Sequence, residues 1–142
     1  MRLGYKTEKS AGFLVFFRDG EVRYLFLKKK GKYDIPKGLQ QPGEDEFTTA
    51  LRELGEETGL IKIKVIPFFK KTIEYFYRWK GMTIKKKVVY FLGESESDQV
   101  KISAEHDGYV WMTKEEILSK IAYRNLKELV EEADRFIVKL DL

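Results

Sequence analysis

Between Gly38 and Leu60 the chain reads GLQQPGEDEFTTALRELGEETGL, and few structures suit that stretch. Phe47, Ala50, Leu51 and Leu54 recur at helical spacing, which predicts an amphipathic helix over about Asp45–Thr58. Gly59 stands where a helix stop is expected. Glu53, Glu56 and Glu57 fall at i, i+3 and i+4, so three carboxylates share one face beside the apolar stripe. Like charges at that spacing repel and destabilise an isolated helix. A cation among them would relieve this, and Arg52 can grip a carboxylate bidentately and fix its direction. The chain has no cysteine and one histidine, His106. An oxygen-only ligand set selects a hard ion, Mg²⁺ or Mn²⁺.

The remaining sequence bounds the setting. A chain of 142 residues with 43% apolar content predicts one folded domain spanning 1–142. The missing cysteines exclude a disulfide scaffold, thiolate zinc sites and a cysteine nucleophile. No apolar run approaches the ~20 residues of a membrane span, and MRLGYKTEKS carries no apolar signal region, so a cytoplasmic location is expected. Twenty-seven basic against 23 acidic residues suit an anionic ligand without establishing nucleic-acid binding.

Strands are expected over Ser10–Phe17 and Val22–Lys28 around an Asp19-Gly20 turn, followed by a glycine- and proline-rich loop over Gly31–Pro42. After the helix, Lys62–Trp79 reads as β structure broken at Pro67. Lys80-Gly81 reads as a hairpin turn, Met82–Gly93 as the returning strand and Glu94–Gln99 as a polar loop. A short strand over Gly108–Met112 precedes a capping box, Thr113 with Glu116, that opens a helix through Lys120. An amphipathic helix over Arg124–Val138 ends the pattern. Interleaved strands and helices predict a mixed α/β sandwich.

Gly38, five residues, Glu44, seven residues, then Arg52-Glu53-Leu54-Gly55-Glu56-Glu57-Thr58-Gly59-Leu60 resembles the Nudix box at every specified position. A chance match has odds below roughly one in 10⁸ per register. The resemblance implies an α/β/α sandwich with a mixed central sheet and hydrolysis of a nucleoside diphosphate linked to a further group. It implies Glu53, Glu56 and Glu57 as the metal cluster, Glu53 being a ligand or the base in different members. Glu44 and Arg52 are implied as a supporting pair and the Gly38 carbonyl as an additional ligand.

The flanks resemble the diadenosine polyphosphate hydrolases more closely. Tyr33-Asp34-Ile35-Pro36-Lys37-Gly38 is similar to their Trp-x-x-Pro-Lys-Gly approach, with tyrosine for tryptophan and Leu39 where histidine usually follows. Glu105-His106-Asp107-Gly108-Tyr109-Val110-Trp111 resembles their Glu-His…Tyr-x-Trp segment, which makes Glu105 an extra ligand or base and leaves His106 a structural role. Ile73, Tyr75, Tyr77 and Trp79 alternate on one strand face. Tyr75 and Trp79 are expected in the core. Tyr77 ends a Glu-x-x-Tyr segment like that in which a tyrosine stacks on adenine, and Tyr123 matches a second stacking position. Lys37, Lys85 and Lys87 are phosphate candidates. The resemblance thus implies a Mg²⁺- or Mn²⁺-dependent pyrophosphohydrolase, acting as monomer or homodimer on a small nucleotide and cutting diadenosine tetraphosphate to ATP and AMP. An oxidised nucleoside triphosphate, ADP-ribose or an RNA 5′ end are alternative substrates. A non-catalytic nucleotide- or RNA-binding module is the alternative of another class.

Overall fold

The computed structural model describes residues 5–141. Met1–Gly4, part of the N-terminal stretch read above for a signal, and Leu142 lie outside the described residues. Eight strands and three helices follow among the described residues. They are β1 (Lys6–Asp19), β2 (Glu21–Lys29), β3 (Lys32–Asp34), β4 (Lys37–Leu39), α1 (Glu46–Thr58), β5 (Ile63–Val65), β6 (Lys71–Trp79), β7 (Met82–Ser95), β8 (Gly108–Met112), α2 (Lys114–Lys120) and α3 (Arg124–Leu140). No helix among them is long and apolar enough to cross a membrane.

The strands form one mixed sheet in the order β3-β2-β1-β7-β5, with β4 on β1, β6 on β7 and β8 on β2. The long central pair, β1 with β7, is parallel from Lys6↔Ile84 to Phe16↔Glu94, and the other pairings are antiparallel. β1 changes partner along its other edge. Ser10–Gly12 pairs with β4, whereas Phe16–Asp19 pairs with β2. That change brings the glycine-rich approach, Lys37-Gly38, against the middle of the sheet.

Strand alternation sends two apolar sets to opposite faces. Ala11, Phe13, Val15 and Leu25 pack with Ala50 and Leu54 of α1 on one face. Leu14, Phe16, Tyr24, Phe26, Val88 and Tyr90 pack with α2 and α3 on the other, through Ile117, Leu129, Val130 and Ala133. The result is the expected α/β/α sandwich. Asp45 caps α1 by accepting from the Thr48 N–H at 2.7 Å, and Gly59 ends it in the left-handed conformation at φ 71°. The Thr113–Glu116 capping box opens α2 as predicted. Lys80 and Gly81 take φ of 47° and 76°, the two positive values a tight hairpin turn requires.

Three expectations are corrected. Gly31–Pro42 contains β3 and β4, whose three-residue lengths are set by backbone pairing with β2 and β1 and leave no side-chain period to read. Leu51 is 41% exposed, so the buried stripe of α1 runs through Thr49, Ala50, Leu54, Glu57 and Thr58. Tyr75 and Trp79 are 40% and 54% exposed. On their face the packed core ends at Ile73 and Val88, and the β6–β7 hairpin continues beyond its cover.

Candidate active site

The site grows from the contact between α1 and β4. Gly38 pairs with Ala11 on the sheet face that α1 covers. A Cβ on Gly38 would lie 2.0 Å from the Glu53 carboxyl carbon, so only glycine lets this carboxylate reach the strand. Around them a groove of 720 Å³ is lined by Gly38, Gln40, Glu53, Glu56, Glu57 and Glu105.

Arg52 organises the acids. Its Nε and one terminal nitrogen donate to the two Glu44 oxygens at 2.6 and 3.0 Å, the bidentate grip anticipated from sequence. The other terminal nitrogen donates to Glu53 at 3.0 Å and to Glu56 at 3.2 Å, and a further bond reaches the Leu39 carbonyl at 3.0 Å. The Arg52 bond, with the Gln41 N–H, drops the Glu44 carboxyl to about 2. Glu44 therefore stays ionised and anchors the guanidinium between the helix carboxylates.

Glu57 differs from its neighbours. It is only 7% exposed, and its carboxylate accepts from the Lys37 N–H at 2.9 Å. Burial, with the negative charges of Glu53 and Glu105, lifts it to about 7 against the opposing Lys37 interactions. Its second oxygen lies 3.7 Å from His106 Nε2, and ligand atoms of Glu57, Glu105 and His106 lie within 4.8 Å of one another. Glu53 and Glu56 instead turn toward Arg52 in the same groove. Carboxylates from two elements with the backbone of β4 are the donor chemistry of a hard divalent ion, which would also offset the repulsion on α1. Glu57 with Glu105 or His106 could hold it, and Glu53, Glu56 and the Gly38 carbonyl border the same space.

Lys37 lines this groove and also a second cavity of 590 Å³ on the other side of β4. Tyr33, Tyr75, Tyr90 and Tyr123 contribute to its walls, with His106 and Asn125. Lys29, Lys30 and Lys32 stand at its mouth. Lys37 Nζ bonds the Asp34 carboxylate. Burial works against the ammonium, but Asp34 outweighs it and the net shift is upward, so Lys37 stays charged.

Thus Gly38, Arg52, Glu44, Glu53, Glu56, Glu57 and Glu105 come together, Lys37 joins them to the cavity, and Tyr123 lines that cavity. Tyr77, Lys85 and Lys87 do not line either space. The Tyr77 hydroxyl donates to Glu8 at 2.5 Å, which pushes the phenol up to about 12. Register puts Tyr75 opposite Lys86, so Lys85 and Lys87 point to the face away from Tyr75. Lys85 lies 3.3 Å from Glu74. Sequence reasoning missed Tyr75, Asp34 and Asn125. Tyr75 was within the alternation already recognised, but the end of the core's cover has no signature in that pattern.

The comparisons agree with this geometry. The asymmetrical bis(5′-nucleosyl)-tetraphosphatase of Mus musculus is 33% identical, the alignment covering 91% of this chain and 95% of the relative. A crystal structure of a C. elegans Ap4A hydrolase binary complex superposes with a TM-score of 0.83 at 28% identity, covering 93% of this chain and 98% of that one. The E. coli dihydroneopterin triphosphate pyrophosphohydrolase shares the fold, with a TM-score of 0.72 at 19% identity over 90% of this chain and 95% of that one. Residues 8–137, which hold the whole groove and cavity, match the NUDIX domain, and the chain belongs to that family.

Proposed function

We propose that this chain is a divalent-metal-dependent pyrophosphohydrolase that cuts a dinucleoside polyphosphate, diadenosine tetraphosphate, asymmetrically to ATP and AMP. The observation that carries this reading is the junction at Lys37, where an acidic groove meets a cavity walled by tyrosines. At 590 Å³ the cavity is in the range that binds small ligands, about 300–1,000 Å³. Its aromatic walls suit a nucleobase, whose stacking contributes ~1–3 kcal/mol. Likeness to the mouse tetraphosphatase over nearly its full length supports the same substrate class.

In this reading Tyr75 and Tyr123 hold one adenosine, and Lys37 with the lysines at the mouth meets the phosphates. A Mg²⁺ or Mn²⁺ held by Glu57, with Glu53, Glu56 and the Gly38 carbonyl at hand, would supply charge neutralisation and a more acidic water. Glu44 and Arg52 keep the Glu53 carboxylate aimed across Gly38. Among the described residues the Glu105 carboxylate makes no ion pair, so it has lone pairs free to take the proton of the attacking water. The water oxygen bonds to one phosphorus and the bridging oxygen leaves opposite it with the bonding pair. Lys37 stabilises the phosphate chain as charge shifts along it.

The test is product analysis by chromatography with Mg²⁺, then with EDTA. Diadenosine tetraphosphate should give ATP and AMP, EDTA should abolish turnover, and Glu56→Gln should lower it by orders of magnitude. Two ADP molecules, or hydrolysis of ADP-ribose or oxidised dGTP alone, overturn the substrate. Nucleotide binding without any turnover overturns the enzymatic reading.

A further inference from the structure

Beyond Lys87 toward the hairpin, no helix among the described residues covers the sheet face on the α1 side. Alternation brings Lys9 from β1, Phe76 and Arg78 from β6, and Lys85 and Lys87 from β7 to this face, and Tyr5, just before β1, joins them through its contact with Phe76. Tyr5 is 52% and Phe76 60% exposed, and they meet edge to face at 5.5 Å between ring centres. Lys85 Nζ stands 5.8 Å from the centre of the Tyr5 ring. Arg78 is held to the sheet by bonds to the Thr83 hydroxyl at 3.1 Å and the Gly81 carbonyl at 3.0 Å. Four cations thus surround two exposed rings, and Glu74 is the acid placed among them by register.

A second copy of this chain would bring those cations against themselves, so self-association through this face is opposed. Lys85 is already paired with Glu74 at 3.3 Å, and an aliphatic partner would leave Lys9, Arg78 and Lys87 without a counter-charge. Rings that offer π faces, bordered by separated positive charges, match alternating bases and phosphates. Duplex DNA or RNA hides its bases from such rings, whereas a single strand presents them. We propose that this face binds single-stranded nucleic acid, with a base on Phe76 and Tyr5 and phosphates on Lys9, Arg78, Lys85 and Lys87. The platform also leads to the groove. From Tyr5 to Ala11 is about 20 Å of extended chain, and Ala11 pairs with Gly38 at the groove wall. The Gln40 N–H, at the groove rim, donates to the Lys9 carbonyl at 2.9 Å. A strand lying on the platform would have one end directed at the acidic groove. This path rests on the groove being the hydrolytic site; the binding surface itself does not.

The decisive measurement is fluorescence anisotropy with a 3′-labelled, 5′-hydroxyl RNA of about 12 nucleotides in EDTA, using the full chain. Such a strand has no phosphoanhydride, so its binding and the hydrolysis of diadenosine tetraphosphate succeed or fail separately. The single strand should bind about tenfold or more tightly than its duplex, and Phe76→Ala should weaken it about tenfold. Lys9→Gln should lower the slope of log K against log salt by about 0.7. Both variants should keep wild-type melting temperature and wild-type turnover of the dinucleotide. No binding, equal binding of the duplex, or an unaffected Phe76→Ala overturns the proposal. So does a dimer in sedimentation that Phe76→Ala dissolves, since the face would then be a self-interface.

Discussion

Glu57→Gln should make the metal-free protein more stable at pH 8 while removing its activity. Glu57 is buried against β4, and its carboxyl is raised from the ordinary 4.5 to about 7, with burial the principal cause. The unfolded chain releases this proton near 4.5, whereas the folded chain holds it until about 7. Between those values the unfolded state binds fewer protons, so stability falls as pH rises, with a slope of up to about 1.4 kcal/mol per pH unit. The stabilisation is complete below 4.5 and lost above 7. The difference corresponds to about 3 kcal/mol, or about 10 °C in melting temperature for a domain of this size. Glutamine keeps an oxygen to accept the Lys37 N–H and cannot ionise. Urea unfolding of both proteins in EDTA from pH 4 to 8 should therefore give curves that agree near pH 4 and separate steadily, with the variant above. Adding Mg²⁺ at pH 8 should raise the wild type and leave the variant nearly unchanged, by about 2.7 kcal/mol at a hundredfold excess over Kd. Parallel curves across this range would refute the claim that the fold holds Glu57 neutral. Equal Mg²⁺ stabilisation of the two proteins would remove Glu57 from the ligand set.

Arg52→Lys keeps the charge but loses the two-pronged bond to Glu44, so kcat should fall about 10–100-fold while the circular dichroism spectrum is unchanged. Tyr75→Ala and Tyr123→Ala should each weaken kcat/KM for a dinucleotide by about 1–3 kcal/mol in steady-state assays, and Tyr77→Ala should leave it near wild type. Gly12→Ala should destabilise the domain by about 1–3 kcal/mol in urea, because its Cβ would stand 2.3 Å from the Pro36 carbonyl oxygen and 2.7 Å from Lys37 Cβ, where backbone has to yield.

The parts of the site readable in the sequence are those carried by a period or a fixed spacing. The extent of α1, its stop at Gly59, and the gathering of Glu53, Glu56 and Glu57 follow from 3.6 residues per turn and a terminal glycine, whereas the Asp45 cap emerges only in the folded chain. The Arg52–Glu44 pair was implied by the family resemblance and not by the helical period, and the fold joins the two residues at 2.6 Å. What the spacing could not show is how the charge is distributed once the helix is docked. Repulsion among three carboxylates argues for a cation, and in the folded chain Arg52 already serves Glu53 and Glu56. Glu57, turned inward by one helical step, is left to Glu105 and His106 from a loop nearly fifty residues away in sequence. The substrate side depends on long-range placement still more. Alternation correctly puts Ile73, Tyr75 and Tyr77 on one strand face, but their fates separate with distance from α3. Ile73 enters the core, Tyr75 walls the cavity, and Tyr77 lies beyond it on Glu8. The register of β6 on β7 decides the lysines in the same way. It gives Lys86 to the cavity's side of the sheet and turns Lys85 and Lys87 to the opposite face, beside exposed Phe76. A run of three lysines is therefore divided between two surfaces by the pleat alone, and each surface calls for its own anionic ligand.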